Sequence, residues 1–322
     1  KLEFAYATQT QKTYILATDI SVRLPVARAT VKLAGNTITL TRAHNHKIRR
    51  DGFLRLGKAL VNGNLPTDYS AVRIQCKGRS AEEAGIVALE TIDLLRGIWN
   101  FGLLKGKGLL LQAGQPAPLN TIMLGPLHSL HFLNGRRVPD PFWYDPTYAG
   151  PISPRDLSAK WTNLRKFEES IRKNLSRSKS RSFLEQAFVR YVRALDESRH
   201  DIGFLKLWSL LEYLTQATSS EQTIKRCACL FKDEDFHRQI LQHLKERRNV
   251  AVHQDNASNE IATRLVYQAK RYVEALLEFH LWHGCTFSNL DETIHSLDLP
   301  TEPAALKKRI KLLRIKMRLV QG

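Results

Sequence analysis

The chain has 322 residues, 43% of them hydrophobic, which suggests about two domains and excludes a disordered polymer. No apolar run approaches the roughly 18 residues that span a bilayer, and the early apolar stretches are too interrupted for a secretory signal, so a cytoplasmic location is expected. The net charge of +18 favours a polyanionic partner through long-range attraction and counterion release, although a generally basic soluble protein would carry the same charge.

Residues 1 to about 75 read as strands. Residues 13–18 and 29–33 are short and β-branched, and Gly35-Asn36 before residues 37–41 reads as a hairpin turn. Ser80-Ala81-Glu82-Glu83 is a capping box that opens a helix running to about Trp99. Residues 103–150 return to short strands and loops, with Pro116, Pro118, Pro126, Pro139, Pro141 and Pro146 as breakers. The connector 146–154 is the expected domain boundary.

Beyond it the pattern is helical. One helix covers 156–175, and a basic link follows over 176–182. The next helix carries Leu184, Ala187, Phe188, Tyr191, Val192 and Leu195 on one face. Asp201 is expected to cap a third helix, with Phe204, Leu207, Trp208, Leu211 and Leu214 in register. A shorter helix covers 221–231. Asp235 is expected to cap the next, whose apolar rail is Phe236, Ile240 and Leu244. Ser258 starts the last bundle helix, with Leu265, Tyr272, Leu276 and Phe279. Short links between helices suggest an antiparallel bundle. Residues 304–320 form a basic amphipathic helix. Docking on its own bundle with a solvated basic face is the default, and a partner helix, nucleic acid or an anionic membrane are the alternatives. The expected fold class is α+β: a β-rich α+β domain over 1–150, an all-α bundle over 151–287, and a linker with the basic helix over 288–322.

One stretch carries chemistry. Arg248-Asn249-x-x-x-His253 places an arginine, an amide and a histidine at a helix end, with Arg247 as a supporting cation. Arginine grips phosphate through two parallel hydrogen bonds, and histidine moves protons near neutral pH. Arg248 follows Leu244 by one turn and leans inward. His253 is five residues on, about 500° around, and does not share that side of a regular helix. The two converge if the helix end unwinds or if a second copy completes the site. A structural reading stands beside the functional one, because Arg248 can pair with Glu212 on the inward side of the neighbouring helix.

Three ordered segments resemble the HEPN superfamily, and its ApeA-like branch in particular: Arg190-Tyr191-Val192-Arg193-Ala194-Leu195-Asp196, then residues 204–214 with Trp208 and Glu212, then Arg248-Asn249-x-x-x-His253. The resemblance covers about residues 156–285. It implies a helical bundle that homodimerises and a metal-independent endoribonuclease of toxin or antiviral-defence type, with no cofactor. Arg248, Asn249 and His253 would be its catalytic residues, and Glu212 and Arg247 would support them. The partners it implies are RNA, a second copy, and an antitoxin or trigger protein bound to a regulatory N-terminal domain. A non-catalytic module that dimerises and binds RNA or nucleotide is the alternative.

Other candidates are weaker. Residues 102–108 look like a phosphate loop but lack its Gly-Lys-Ser/Thr ending. His44 and His46 sit beside Lys47, Arg49 and Arg50, which would repel a metal. His128 and His131, near Trp143 and Tyr144, read as a groove or as ordinary packing. His280 and His283 flank Trp282 and are expected at the surface or at an interface. Cys227-Ala-Cys229 lacks zinc-knuckle spacing, so Cys76, Cys227, Cys229 and Cys285 read as buried free thiols in a reducing compartment, which would leave the sequons at Asn174 and Asn256 unused.

Overall fold

The computed structural model describes residues 10–42, 68–107, 117–148, 152–253 and 259–321, with the backbone alone at 137, 140–144, 146, 251–253 and 321. The architecture is α+β: an antiparallel sheet region followed by a helical region. The chain packs as two compact units, Lys1–Lys173 with Glu185–Gly203 and Asn174–Leu184 with Phe204–Gly322. This division does not fall near residue 150. Residues of the helices that follow 160 belong with the sheet.

In the first unit the strands are β1 (Lys12–Ile20), β2 (Val22–Arg23), β3 (Arg28–Leu33), β4 (Asn36–Thr41), β5 (Ser70–Gly78), β6 (Leu127–Phe132), β7 (Arg137–Tyr144) and β8 (Arg155–Asp156). Six of them form an antiparallel sheet in the order β3-β4-β5-β1-β6-β7, and β2 pairs with β8 in parallel. β5 shows why the sequence makes strands. Val72, Ile74 and Cys76 turn inward while Arg73, Gln75 and Lys77 turn outward, the period of two that a half-buried strand requires.

The β3–β4 hairpin turns one residue earlier than expected. Leu33 pairs with Asn36, so Ala34 and Gly35 are the central residues, with φ of 48° and 76°. Both values are positive, as a two-residue type I′ turn demands, and glycine meets that demand without strain. Pro139 and Pro141 lie within β7 rather than breaking it. An edge strand tolerates proline because its outer N–H groups need no ladder partner.

Helix α1 (Ala81–Leu104) packs on β5, β1 and β4. Its cap forms at Ser80 as expected, where Oγ accepts from the Glu83 N–H at 3.1 Å, and Glu83 Oε2 accepts at 2.6 Å from the N–H of Arg79, the residue before the cap. It continues past Trp99 because its second half is buried. Helices α2 (Trp161–Arg177) and α3 (Arg181–Leu195) follow, and part of each packs on α1. Phe101 meets Phe188 and Tyr191 edge-on at 5.7 and 6.0 Å, and Trp99 meets Trp161 at 5.9 Å. Gly97 permits the approach, since a Cβ there would lie 2.6 Å from the Phe188 carbonyl oxygen.

A buried polar network ties these pieces together. Arg96 Nη2 donates to both Asp196 oxygens, at 2.7 and 2.6 Å, and Nη1 donates to Asp93 at 2.9 Å. Asp93 also accepts from Arg193 Nε at 2.8 Å, and Asp196 accepts from the Tyr148 hydroxyl at 2.8 Å and from Asn120 at 2.6 Å. Arg96 is fully buried, so its charge needs these carboxylates. The partners on and just after α3 are a physical reason why this part of the helical region belongs with the sheet.

The second unit contains most of α4 (His200–Thr215), then α5 (Ser220–Ala228), α6 (Glu234–His253), α7 (Asn259–Trp282), α8 (Leu290–Ser296) and α9 (Pro303–Gln321). Several expected caps shift. α4 begins at His200, so Asp201 lies in its first turn and takes an ion pair from Arg199. The cap of α6 is Asp233, whose Oδ1 accepts from the Phe236 N–H at 3.2 Å and whose carbonyl accepts from the His237 N–H, while Asp235 lies within the first turn. Phe236 is exposed. The buried rail of α6 is His237, Leu241 and Leu244, with His237 Nδ1 sharing a 2.9 Å hydrogen bond with the Tyr272 hydroxyl of α7. Leu265, Tyr272 and Leu276 are buried as expected, Phe279 is half-buried, and Ser258 lies outside the described residues.

Candidate functional site

Trp208 and Glu212 sit one turn apart on α4, and Arg248 and Asn249 sit near the end of α6. Arg248 continues the inward rail four residues after Leu244, as the 3.6-residue period requires. Buried Trp208 donates its indole N–H to Glu212 Oε1 at 2.7 Å. The same oxygen lies 3.8 Å from Arg248 Nη2, an ion-pair distance but too long for a hydrogen bond. Arg248 Nη1 donates to Asn249 Oδ1 at 3.2 Å. The Arg248 and Glu212 side chains are 36% and 32% exposed, so both are partly open to solvent.

Of the expected site residues, Glu212, Arg248 and Asn249 come together. Arg247 is exposed one position away, about 100° round the helix from Arg248. The backbone of α6 is helical to His253, so the helix does not unwind before the histidine. Five residues of regular helix set the two positions roughly 140° apart. The side chain of His253 lies outside the described residues. The sequence singles out Trp208 only as part of a pattern. The signal for its role was the four-residue spacing to Glu212, which puts both on one face.

The remaining candidates resolve differently. Residues 102–107 end α1, with Gly106 at φ 69° closing the helix. A helix C-terminus carries partial negative charge and repels phosphate, opposite to a phosphate loop. Gly108, His44 and His46 lie outside the described residues. His128 is buried within the sheet, sharing a 2.8 Å hydrogen bond with Thr18 Oγ1, and burial pushes its pKa down to about 4. His131 is also buried and bonds Ser129 Oγ at 2.9 Å. The expected surface position of His280 is overturned. It is buried, shares a 2.8 Å hydrogen bond with the Leu214 carbonyl at the end of α4, and is pushed down to about 4 by burial. The α4 carbonyl lacks a helical partner, and an imidazole N–H supplies one. His283 and Trp282 are exposed.

All four cysteines are free. Cys76 and Cys227 are buried, whereas Cys229 and Cys285 are only partly so. Burial pushes the Cys76 and Cys229 thiols up to about 11, away from thiolate chemistry. Among the described residues, no group of three or more His, Cys, Asp or Glu side chains is placed to hold a metal, and no helix is long and apolar enough to cross a membrane. No family model matches the chain, and no curated protein and no solved structure matches it.

Proposed function

We propose that the chain is a metal-independent endoribonuclease of HEPN type, acting as a toxin or antiviral-defence effector from a homodimer. The observation that carries this reading is the state of Arg248: about one-third exposed, beside Glu212 at 3.8 Å rather than locked to it. A guanidinium has five N–H donors, and one here is occupied by Asn249. A partly exposed arginine of this kind suits a phosphate that arrives from solvent.

RNA carries its own nucleophile. In the proposed reaction the ribose 2′-oxygen attacks phosphorus and gives up its proton, the bond to the 5′-oxygen breaks, and that oxygen takes a proton. The products are a 2′,3′-cyclic phosphate and a 5′-hydroxyl. His253 of one copy serves as base or acid, and His253 of the second copy takes the other role. Arg248 stabilises charge on the phosphorane, Asn249 orients the phosphate, and Glu212 aims the guanidinium. Arg247 adds a cation at the margin. The regular helical backbone up to His253 favours a site completed in trans, because one helix does not stack the two positions.

Cleavage of RNA in EDTA by the wild type and by His253→Ala and Arg248→Ala tests the reading. Cleavage to a cyclic phosphate is expected from the wild type alone. Equal cleavage by all three proteins would remove these residues from the mechanism. The Glu212–Arg248 ion pair also favours a second reading, a non-catalytic RNA-binding module. That reading predicts RNA binding without cleavage and no growth defect on expression.

A further inference from the structure

We propose that α9 is a docking helix for an acidic helical protein, gripped on two opposite faces. The chain is anchored until just before it. Arg226 holds Asp298 with bonds of 3.0 and 2.6 Å, Leu297 is buried, and Thr301 Oγ1 donates to Glu234 Oε2 at 3.0 Å. From residue 307 to residue 320 every position is then exposed, with Leu319 and Val320 at 74% and 72%. The expectation that this helix docks on its own bundle is therefore corrected.

Its apolar residues are patterned, and all of them after the half-buried Leu306 are exposed. Leu306, Ile310, Leu313, Met317 and Val320 alternate spacings of four and three, the seam of a helix that packs against another helix. Leu312, Ile315 and Leu319 repeat that spacing, centred roughly 150–180° around the helix. The first seam is flanked by Lys307, Arg309, Arg314 and Lys316, and the helix contains no acid.

These features select the partner. A second copy of α9 would set basic flank against basic flank in either orientation, so self-pairing is disfavoured. An anionic bilayer covers one apolar face and leaves the other in water, and α9 has none of the aromatic residues typical of interfacial helices. RNA offers phosphates to the cations, but nothing apolar to either seam and no aromatic platform on which to stack. Two helices with acidic edges, one on each face, satisfy both seams and the charges. This inference is independent of the ribonuclease reading.

The test uses the full chain and a synthetic heptad peptide with leucine seams and glutamate flanks. Its lysine-flanked twin, vesicles of phosphatidylglycerol and phosphatidylcholine, and poly-U RNA are the comparisons. The glutamate peptide is expected to bind and gain helicity, and the lysine twin to fail. Leu313→Asp with Met317→Asp weakens binding at least tenfold, and reversing the four flanking cations to glutamate transfers binding to the lysine twin. A two-helix hairpin of the glutamate peptide binds more tightly than the single helix, and Leu312→Asp with Leu319→Asp removes that gain. All substituted positions are exposed, so thermal unfolding stays unchanged and reports that each variant folds. The proposal is overturned if the glutamate peptide does not bind or binds the seam variant equally. It is also overturned if the seam substitutions release the chain from vesicles or RNA instead.

Discussion

Trp208 and Glu212 are joined by a 2.7 Å hydrogen bond from the indole N–H to Oε1, and that oxygen is the one facing Arg248 at 3.8 Å. A buried ring thus fixes one carboxylate oxygen, and that oxygen attracts the guanidinium across 3.8 Å without a hydrogen bond to hold it. Trp208→Phe keeps most of the ring packing and removes the donor. Under the proposed reaction, kcat for RNA cleavage falls about tenfold with little change in KM, and stability falls by about 1 kcal/mol. Steady-state kinetics with a denaturation curve separates this from a purely structural effect, which would lower stability and leave kcat per folded molecule intact.

Asp196→Ala leaves Arg96 buried with half of its carboxylate support gone. Removing one member of a buried pair costs about 3–5 kcal/mol, because the remaining charge has no water to replace its partner. Urea denaturation is expected to show that loss. Replacing Arg96 and Asp196 together by Met and Leu should cost less than the sum of the single changes, since neither member of that pair is then left without the other and Asp93 keeps Arg193.

Acid should destabilise both units. His128 lies in the first and His280 in the second, each held neutral by burial with its pKa pushed down to about 4. In the unfolded chain they titrate near the ordinary 6.5. Between these values the unfolded state binds more protons, so their contribution is complete above about pH 6.5 and is lost as pH falls toward 4. The loss is on the order of 2–3 kcal/mol per histidine. Urea midpoints at pH 7.5 and pH 5 check this, and His280→Gln should flatten the dependence.

Gly97→Ala tests how closely α1 and α3 approach. The added methyl would meet the Phe188 carbonyl oxygen at 2.6 Å, a backbone atom that cannot swing aside. A loss of about 1–3 kcal/mol is expected, although alanine is the better helix former. A rise in melting temperature would show that the helices separate freely there.

The parts of the fold legible in the sequence were those set by local pattern. β1, β3 and β4 announce themselves by β-branching and a turn, and the capping box marks the start of α1. What local pattern missed depended on distant residues. Phe236 looks like core and is exposed, while His280 looks like surface and is buried, because a helix end elsewhere needs a hydrogen-bond donor. Pro139 and Pro141 read as breakers until β7 is known to be an edge strand. At the site, Glu212 and Arg248 were legible as neighbours, and the structure leaves both partly exposed. Asp196, which closes the 190–196 segment, pairs with Arg96 of α1, a partner no local pattern points to.

The pairing of Arg96 with Asp196 sets a schedule for biosynthesis. The two residues are 100 positions apart, as are Asp93 and Arg193. A ribosome adding about 5–20 residues per second delivers the second member of each pair roughly 5–20 s after the first. During that interval the nascent sheet and α1 hold an arginine destined for full burial without its principal carboxylate. The N-terminal unit therefore cannot close until the chain has passed residue 203, by which point synthesis of α4 has already begun.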